Sequence, residues 1–201
     1  MKKFLYIFIA LNLLGVGINF VLQVGFGCDA ITMMNDGIAR FFQTNYTISG
    51  LIYSTICMVV AVLFAKDLLG WGSVSYAYAT GIFIDVYRWI LAPLEIAELS
   101  TILKILLFVV GQLMMCYAFA MLIALNLGRS PLDAILASIE KKLHISYRVV
   151  KTICDVIFVI VAYLLGSTFG IGTILCVLTT GYCIQFFCKM MNRKQVKHDI
   201  L

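Results

Sequence analysis

Nine polar side chains lie within or beside long apolar stretches of this sequence. They are Asn12, Asn19, Gln23, Asp29, Asp85, Arg88, Gln112, Asp133 and Asp155. Amides can hydrogen bond a solute, and carboxylates can bind a cation or carry a proton. Polar groups in an apolar environment cost free energy, so these residues are candidates for the lining of a substrate pathway. The alternative is that they only hold helices together.

A polar stripe runs along the first apolar segment. Asn12, Asn19 and Gln23 share one face of a predicted helix, with Gly15 beside them. The stripe could form one wall of a pathway, or it could hydrogen bond a helix that approaches closely at glycine. Gln112 has a similar position in a later apolar segment, where interhelical hydrogen bonding is the favoured interpretation.

Two acids open two predicted short helices at equivalent places. Asp29 begins the first helix, and Asp133 lies in the first turn of the second, where Ser130 can cap and Pro131 suits the first position. The two acids could guard opposite mouths of a pathway or bind a cation in alternation. The structural alternative is capping and a favourable interaction with the helix dipole.

The remaining charged candidates have possible partners close by in the sequence. Asp85 and Arg88 are three residues apart on a predicted helix and can pair, with Asp85 about two turns from the outer end. Asp155 can pair with Lys151, four residues earlier, and with Arg148 beyond it. Asp85 is therefore the deeper functional candidate, and Asp155 is expected near the membrane interface.

Several glycines are candidates for hinges or close approaches of the backbone. They are Gly25, Gly27, Gly72, Gly81, Gly172 and Gly181. Gly25 and Gly27 would permit a sharp bend before Asp29. Gly72 and Gly172 open two predicted helices, whose free amides could attract an anion, although ordinary helix capping is the alternative.

The elements that must position these residues are membrane-spanning helices. The 201 residues are 63% hydrophobic and only 12% charged, and a span needs about 20 mostly apolar residues. Six spans are predicted at 4–24, 48–65, 72–92, 102–127, 147–166 and 171–189. Two amphipathic segments at 29–42 and 131–143 are too short to span and suit interfacial or re-entrant helices. The fold class is an all-α polytopic membrane bundle.

The distribution of cations predicts the orientation of the spans. With the N-terminus in the cytoplasm, 12 of the 15 Lys and Arg residues fall on the cytoplasmic side, as the positive-inside rule requires. Arg40, Arg88 and Lys104 remain outside. Both termini are therefore predicted to be cytoplasmic.

An ordered set of short matches indicates an internal repeat. Asp29-Ala30-Ile31 matches Asp133-Ala134-Ile135, and Gly70-Trp71-Gly72-Ser73 matches Gly170-Ile171-Gly172-Thr173. The predicted halves are 1–97 and 98–191, followed by a basic tail at 192–201. Because each half has three spans, the halves are predicted to be inverted, as in many secondary transporters.

The same residues carry a family resemblance. Gly-x-Gly-Cys-Asp-Ala at 25–30, Ser130-Pro131-Leu132-Asp133-Ala134, and Gly170-Ile171-Gly172-Thr173 with Gly181 downstream resemble the YczE/YyaS/YitT group of bacterial membrane proteins. The resemblance implies a bacterial inner-membrane protein, in a group sometimes suspected of transport or export. It implies no catalytic residues.

Three functions fit these patterns. The first is a small secondary transporter or exporter of a low-molecular-weight solute. The second is a substrate-binding subunit of a larger uptake system, like the S-components of vitamin transporters, for which Gly15 and Gly17 could form a docking face. The third is a regulatory or scaffold partner that binds through the basic loop from Arg129 to Lys151.

The expected partners follow from the same composition. They are the lipid bilayer and a small-molecule solute, with a homodimer left open and no nucleic acid. The sequence lacks the usual enzyme motifs and metal-ligand spacings, so no enzyme activity, cofactor or metal is predicted. The seven cysteines form no CxxC pair, and packing is their expected role.

Overall fold

The structure, a computed structural model, describes the backbone of residues 2–124 and 130–198. Side chains are described for these residues except 2, 3, 71, 72, 75, 76, 147, 148 and 192–198. The described chain forms eight α-helices. They are α1 (Lys2–Val24), α2 (Ala30–Phe41), α3 (Tyr46–Phe64), α4 (Trp71–Leu91), α5 (Thr101–Ala124), α6 (Pro131–Leu143), α7 (Tyr147–Leu164) and α8 (Ile171–His198). Short 3-10 turns occur at Lys66–Leu68, Ala92–Leu94 and Ile96–Glu98.

Every predicted helix is present, with bounds that differ by a few residues. The main difference is at the end of the chain, where α8 continues to His198 through much of the predicted basic tail. Within the part of the chain that the structure describes, four helical stretches are long and apolar enough to cross a membrane: Phe4–Val24, Tyr46–Phe64, Thr101–Ala124 and Ile171–Met191. Large apolar side chains cover their outer faces; Ile102 is 81% exposed and Leu178 is 62% exposed, as expected for surfaces in contact with lipid.

The centre of the bundle is the crossing of α1 and α5. A Cβ atom at Gly17 would lie 2.8 Å from the carbonyl oxygen of Gly111, and the reverse distance is also 2.8 Å. Small residues therefore let the two backbones touch, which is the usual way that membrane helices gain packing energy. Leu14, Val21 and Met115 are almost completely buried around this crossing.

The other helices pack in pairs that occur twice. Helix α4 packs on α1, and α8 packs on α5; α2 packs on α7, and α6 packs on α3. The order of one long helix, one short helix and two further helices thus appears in each half of the chain, with each short helix resting on the other half. One pairing differs, because α3 packs broadly on α4 while α7 touches α8 only slightly.

Helix α2 buries both apolar and polar side chains. Ile31, Met34, Ile38 and Phe41 share one face of the predicted helix, yet Phe41 is 61% exposed and only Ile38 of the four is buried. The buried side chains of α2 include Thr32, Asn35 and Asp36. The reason is that α2 is enclosed between other helices, so its polar face is held by protein partners.

Candidate functional site

The backbone before α2 bends sharply and packs against the start of α8. Gly27 has a φ of +93°, and a Cβ atom there would lie 2.3 Å from Oγ1 of Thr173. The amide of Gly172 donates to the carbonyl oxygen of Phe26 at 2.7 Å. The left-handed conformation and the lack of space both require glycine at position 27. This contact sets where α2 begins.

Asp29 caps α2, as one of the two interpretations of this residue expected. Its Oδ2 accepts from the amide of Thr32 at 3.3 Å. Its Oδ1 is buried and has no hydrogen-bond partner among the described residues. The adjacent Cys28 is also buried, and burial, with the nearby carboxylates of Asp29 and Asp36, raises the pKa of its thiol well above the ordinary value. A protonated thiol is a poor nucleophile, so Cys28 suits a packing role.

Asp36 joins α2 to the loop between α7 and α8. Its Oδ2 accepts from Nε of Arg40 at 2.8 Å and from Oγ of Ser167 at 2.8 Å. The Asp36 residue is 8% exposed, whereas the side chain of Arg40 is 51% exposed. The buried carboxylate therefore fixes the inner end of an arginine whose outer end reaches solvent-accessible space.

That space is an open cleft of about 640 Å³ at one end of the bundle, here called the polar cleft. Its lining residues are Leu22, Gln23, Asp36, Ala39, Arg40, Gln43, Thr44, Arg88, Ala92 and Thr168. They come from the ends of α1, α2 and α4 and from two loops. The volume lies within the range of small-molecule sites, about 300–1,000 Å³. A second cavity, between Ile31 of α2 and Pro131 of α6, holds only about 20 Å³, which is room for one water.

Of the nine polar candidates, the polar cleft includes Gln23 and Arg88. Arg88 does not pair with Asp85, so that prediction was wrong: its guanidinium carbon lies 5.8 Å from the ring centre of Tyr46. The Oδ2 of Asp85 accepts instead from the backbone amide of Thr47 at 2.7 Å and from its hydroxyl. Asp85 thus holds the first turn of α3 on α4, because that turn has free amides that need an acceptor.

The other two members of the stripe on α1 hold helices together. The amide nitrogen of Asn19 donates to the carbonyl oxygens of Gly15 and Ile84, both at 2.8 Å. The side-chain oxygen of Asn12 accepts from the hydroxyl of Tyr87 at 2.6 Å. Both contacts join α1 to α4, which is the interhelical alternative for this stripe.

Gln112 performs the same task between α5 and α8. Its amide nitrogen donates to Oγ1 of Thr180 at 2.7 Å, and its carbonyl oxygen accepts from Sγ of Cys176 at 3.2 Å. Gln112 is 7% exposed. The favoured interpretation from the sequence, hydrogen bonding between helices, is confirmed.

The second pair of acids is also bound locally. Oγ of Ser130 accepts from the amide of Asp133 at 3.2 Å and donates to its Oδ2 at 2.6 Å, which is the expected cap of α6. Asp155 pairs with Lys151, as predicted; the side chain of Arg148 lies outside the described residues.

Some of the candidate glycines lie too close to a neighbour for a Cβ atom to fit, and others have open space around them. A Cβ atom at Gly81 would lie 3.0 Å from Thr47, and one at Gly172 would lie 2.7 Å from Phe108. A Cβ atom at Gly25 or Gly181 would meet nothing within 4 Å. Gly72 lies in the first turn of α4, and its surroundings are outside the described side chains.

Sequence reasoning missed most of the polar cleft. The missed polar residues are Asp36, Arg40, Gln43, Thr44, Thr168 and the supporting Ser167. One local signal was available, because Asp36 and Arg40 are four residues apart on a helix and such residues can pair. Ser167 follows α2 by more than 120 positions, and no periodicity connects it with Asp36.

Comparison with known proteins places this arrangement in a family. A profile described as "Family of unknown function (DUF6198)" matches residues 1–189. The chain belongs to this family. No solved structure matches it.

Three relatives of this DUF6198 protein carry no assigned activity in their names. The chain is similar to an "Uncharacterized protein" of Haemophilus influenzae, 28% identical over 92% of this chain and 82% of the relative. It is similar to "Uncharacterized protein YyaS" of Bacillus subtilis, 23% identical over 95% and 94%. It is also similar to "Uncharacterized membrane protein YczE" of Bacillus subtilis, 27% identical over 53% and 47%. The resemblance to YyaS and YczE is thus confirmed, and this DUF6198 protein is a membrane protein.

Proposed function

We propose that this DUF6198 protein is a small secondary transporter that moves a low-molecular-weight solute across the bacterial inner membrane. The observation that carries the proposal is the reciprocal packing of the two halves. Each short helix rests on the other half, and each long helix packs on the last helix of its own half. Two equivalent halves can exchange roles, which is how inverted repeats open a central site to either side.

The proposed topology has six spans, with α4 and α7 completing the four most apolar helices. Helix α7 carries Lys151 and Asp155, but the two side chains pair with each other, which lowers the cost of placing them in a membrane. The excess of cations on one side supports cytoplasmic termini. In this orientation the polar cleft opens to the outer face.

The polar cleft and Asp29 have separate roles in the proposal. The polar cleft receives the solute from outside. Asp29 is buried outside the polar cleft, and one of its oxygens has no hydrogen-bond partner among the described residues, so it suits a coupling proton or cation. Both lie on or beside α2, which packs mainly on the opposite half and would move when the halves rearrange.

The S-component alternative loses its support from the sequence. Gly15 and Gly17 were its expected docking face, but both are used inside the protein. A Cβ atom at Gly15 would lie 2.9 Å from the carbonyl oxygen of Phe83, and one at Gly17 would lie 2.8 Å from that of Gly111. The basic loop of the scaffold alternative runs from Arg129 to Lys151; Arg129 lies outside the described residues, and the rest of the loop contains α6 and the start of α7.

The proposal is tested in two stages with the full-length protein. Thermal unfolding in a neutral detergent is first measured with a panel of metabolites, vitamins, amphiphiles and ions. A ligand present at 100 times its dissociation constant should stabilise the folded state by about 2.7 kcal/mol. Each stabilising compound is then followed into proteoliposomes, with Asp29→Asn as the uncoupled variant.

The two stages separate the candidate functions. Uptake that requires the protein and an ion gradient, and that Asp29→Asn reduces, supports a coupled transporter. Binding without uptake would overturn transport and favour a capture subunit. Folded protein with no ligand in the panel would contradict both and favour a regulatory or scaffold partner.

A further inference from the structure

We propose that the polar cleft binds an oxyanion group of the solute, of the carboxylate or phosphate type, and that Arg40 and Arg88 are the residues that recognise it. This inference rests on the proposed function only in taking the bound anion as the transported solute. The binding site itself follows from how the two arginines are held.

Arg40 is fixed through one edge of its guanidinium group. The buried Oδ2 of Asp36 accepts from Nε, and Ser167 donates to the same oxygen from the loop between α7 and α8. The contact uses one of the five N–H donors of arginine. The described residues supply no acceptor for the other four, so the fork that matches an oxyanion stays available.

Arg88 is fixed in a different way. Its guanidinium lies over the ring of Tyr46, whose residue is only 2% exposed. The carboxylate nearest in sequence, Asp85, accepts from Thr47 instead. Among the described residues no ion pair engages Arg88, so its charge is held in place by a neutral ring.

The lining of the polar cleft carries an excess of positive charge. Two arginines face one carboxylate, and that carboxylate already bonds Arg40 and Ser167. The other polar residues of the lining carry amides and hydroxyls, and the buried Oγ1 of Thr44 has no partner among the described residues. A cation would meet like charges there, whereas an oxyanion would meet two guanidinium groups and further donors.

The turn after α2 supports a binding role. Gln43 has a φ of +51°, a conformation that favours glycine at the end of a helix. A glutamine at this position costs free energy relative to glycine. Gln43 is exposed and lines the polar cleft, and glycine has no side chain that could bind a solute there.

The anion could be free or could be the phosphate of a lipid headgroup, because the polar cleft lies at an end of the membrane bundle. The test therefore uses nanodiscs of phosphatidylcholine alone and nanodiscs that contain phosphatidylglycerol. Calorimetric binding of acetate, succinate, citrate and inorganic phosphate is measured in both, with sodium chloride added to equal ionic strength.

Three variants separate recognition from folding and from general charge. Arg88→Gln leaves the contacts of Asp36, Arg40 and Ser167 intact. Arg40→Gln removes the second guanidinium. Lys104→Gln is the matched control, because Lys104 is predicted on the same outer side of the membrane as the two arginines but does not line the polar cleft. Loss of a charge-assisted contact should raise the dissociation constant about tenfold or more in Arg88→Gln and Arg40→Gln. The dissociation constant of Lys104→Gln should not change.

Every outcome decides the inference. Binding of at least one of the four anions in phosphatidylcholine nanodiscs, weakened by Arg88→Gln and by Arg40→Gln but not by Lys104→Gln, supports it. No binding of any anion, or equal loss in Arg88→Gln and Lys104→Gln, would overturn it. Loss of that anion binding when phosphatidylglycerol is present would show that the lipid headgroup occupies the site and would overturn the solute class. Anion binding without uptake into proteoliposomes would support the site and overturn the proposed transport.

Discussion

Helices α2 and α6 occupy equivalent places in the two halves, yet α2 buries polar side chains beside its apolar ones, whereas the buried residues of α6 are all apolar. Each follows the long helix of its half and packs on the other half. The buried residues of α6 are Pro131, Leu132, Ala134, Leu136 and Ala137. The buried residues of α2 include Thr32, Asn35 and Asp36.

The difference shows where this scaffold carries polar groups beyond what packing requires. Helix α6 demonstrates that an apolar inner face is enough to seat a short helix between the halves. Buried polar groups cost free energy unless they are paired, so the polar face of α2 has a reason other than stability. That face ends at Arg40 and the polar cleft, which places the candidate function at one end of the first half.

The largest expected effect tests whether α6 is purely a packing element. Leu136 is 2% exposed and Leu143 is 61% exposed. Leu136→Ala should destabilise the fold by about 2–5 kcal/mol because it leaves a cavity, while Leu143→Ala should have little effect. Chemical unfolding in detergent measures both, and solute binding by refolded Leu136→Ala should match the parent protein. Equal effects of the two changes would break the comparison.

The next prediction concerns how closely α2 is seated. A Cβ atom at Gly37 would lie 2.9 Å from the carbonyl oxygen of Ala162 in α7. Gly37→Ala should therefore push the helices apart and cost about 1–3 kcal/mol. Gly181→Ala is the control, since a Cβ atom there meets nothing within 4 Å. The melting temperatures of the two variants test this prediction. A Gly37→Ala protein as stable as the parent would contradict the close packing of α2 on α7.

A third prediction compares Asp85, which stabilises the fold beside the polar cleft, with Arg88, which lines the polar cleft. Asp85→Ala removes the acceptor of the Thr47 amide and should lower stability by about 1–2 kcal/mol, as loss of a helix cap does. Arg88→Ala leaves that acceptor in place and should lower anion binding without this loss. Thermal unfolding and calorimetry on both variants test the division. If Asp85→Ala is as stable as the parent protein, the structural role of Asp85 is contradicted and Asp85 is again a candidate for the substrate pathway.

The smallest effects are expected at the two helix caps. Ser130→Ala should destabilise by about 1 kcal/mol. Asp29→Asn should cost less, since asparagine caps as well as aspartate. Any loss of ion-coupled uptake in Asp29→Asn then comes from the missing charge and not from the cap. If Asp29→Asn keeps its ion-coupled uptake, Asp29 acts only as a helix cap, and the first turns of α2 and α6 then have the same role.

Local and distant contacts explain how much could be predicted from the sequence. The Lys151–Asp155 pair and the Ser130 cap join residues within one helical turn, and both are confirmed. Asp85 and Arg88 are equally close in sequence, but their pairing failed because Thr47 and Tyr46 of another helix reach them first. Residues one turn apart on a helix can pair, but the packing of the helices decides whether a residue of another helix takes the place of the local partner.

The sequence by itself determined the helices, the apolar surface and the short helices between the spans. These properties depend on runs of neighbouring residues, because burial of the backbone in lipid demands continuous apolar helices. Only the tertiary structure decided that the polar face of α2 turns inward, that Ser167 holds Asp36, and that Arg40 and Arg88 share one cleft. Those contacts join segments far apart in the chain, and only the packing of the helices brings them together.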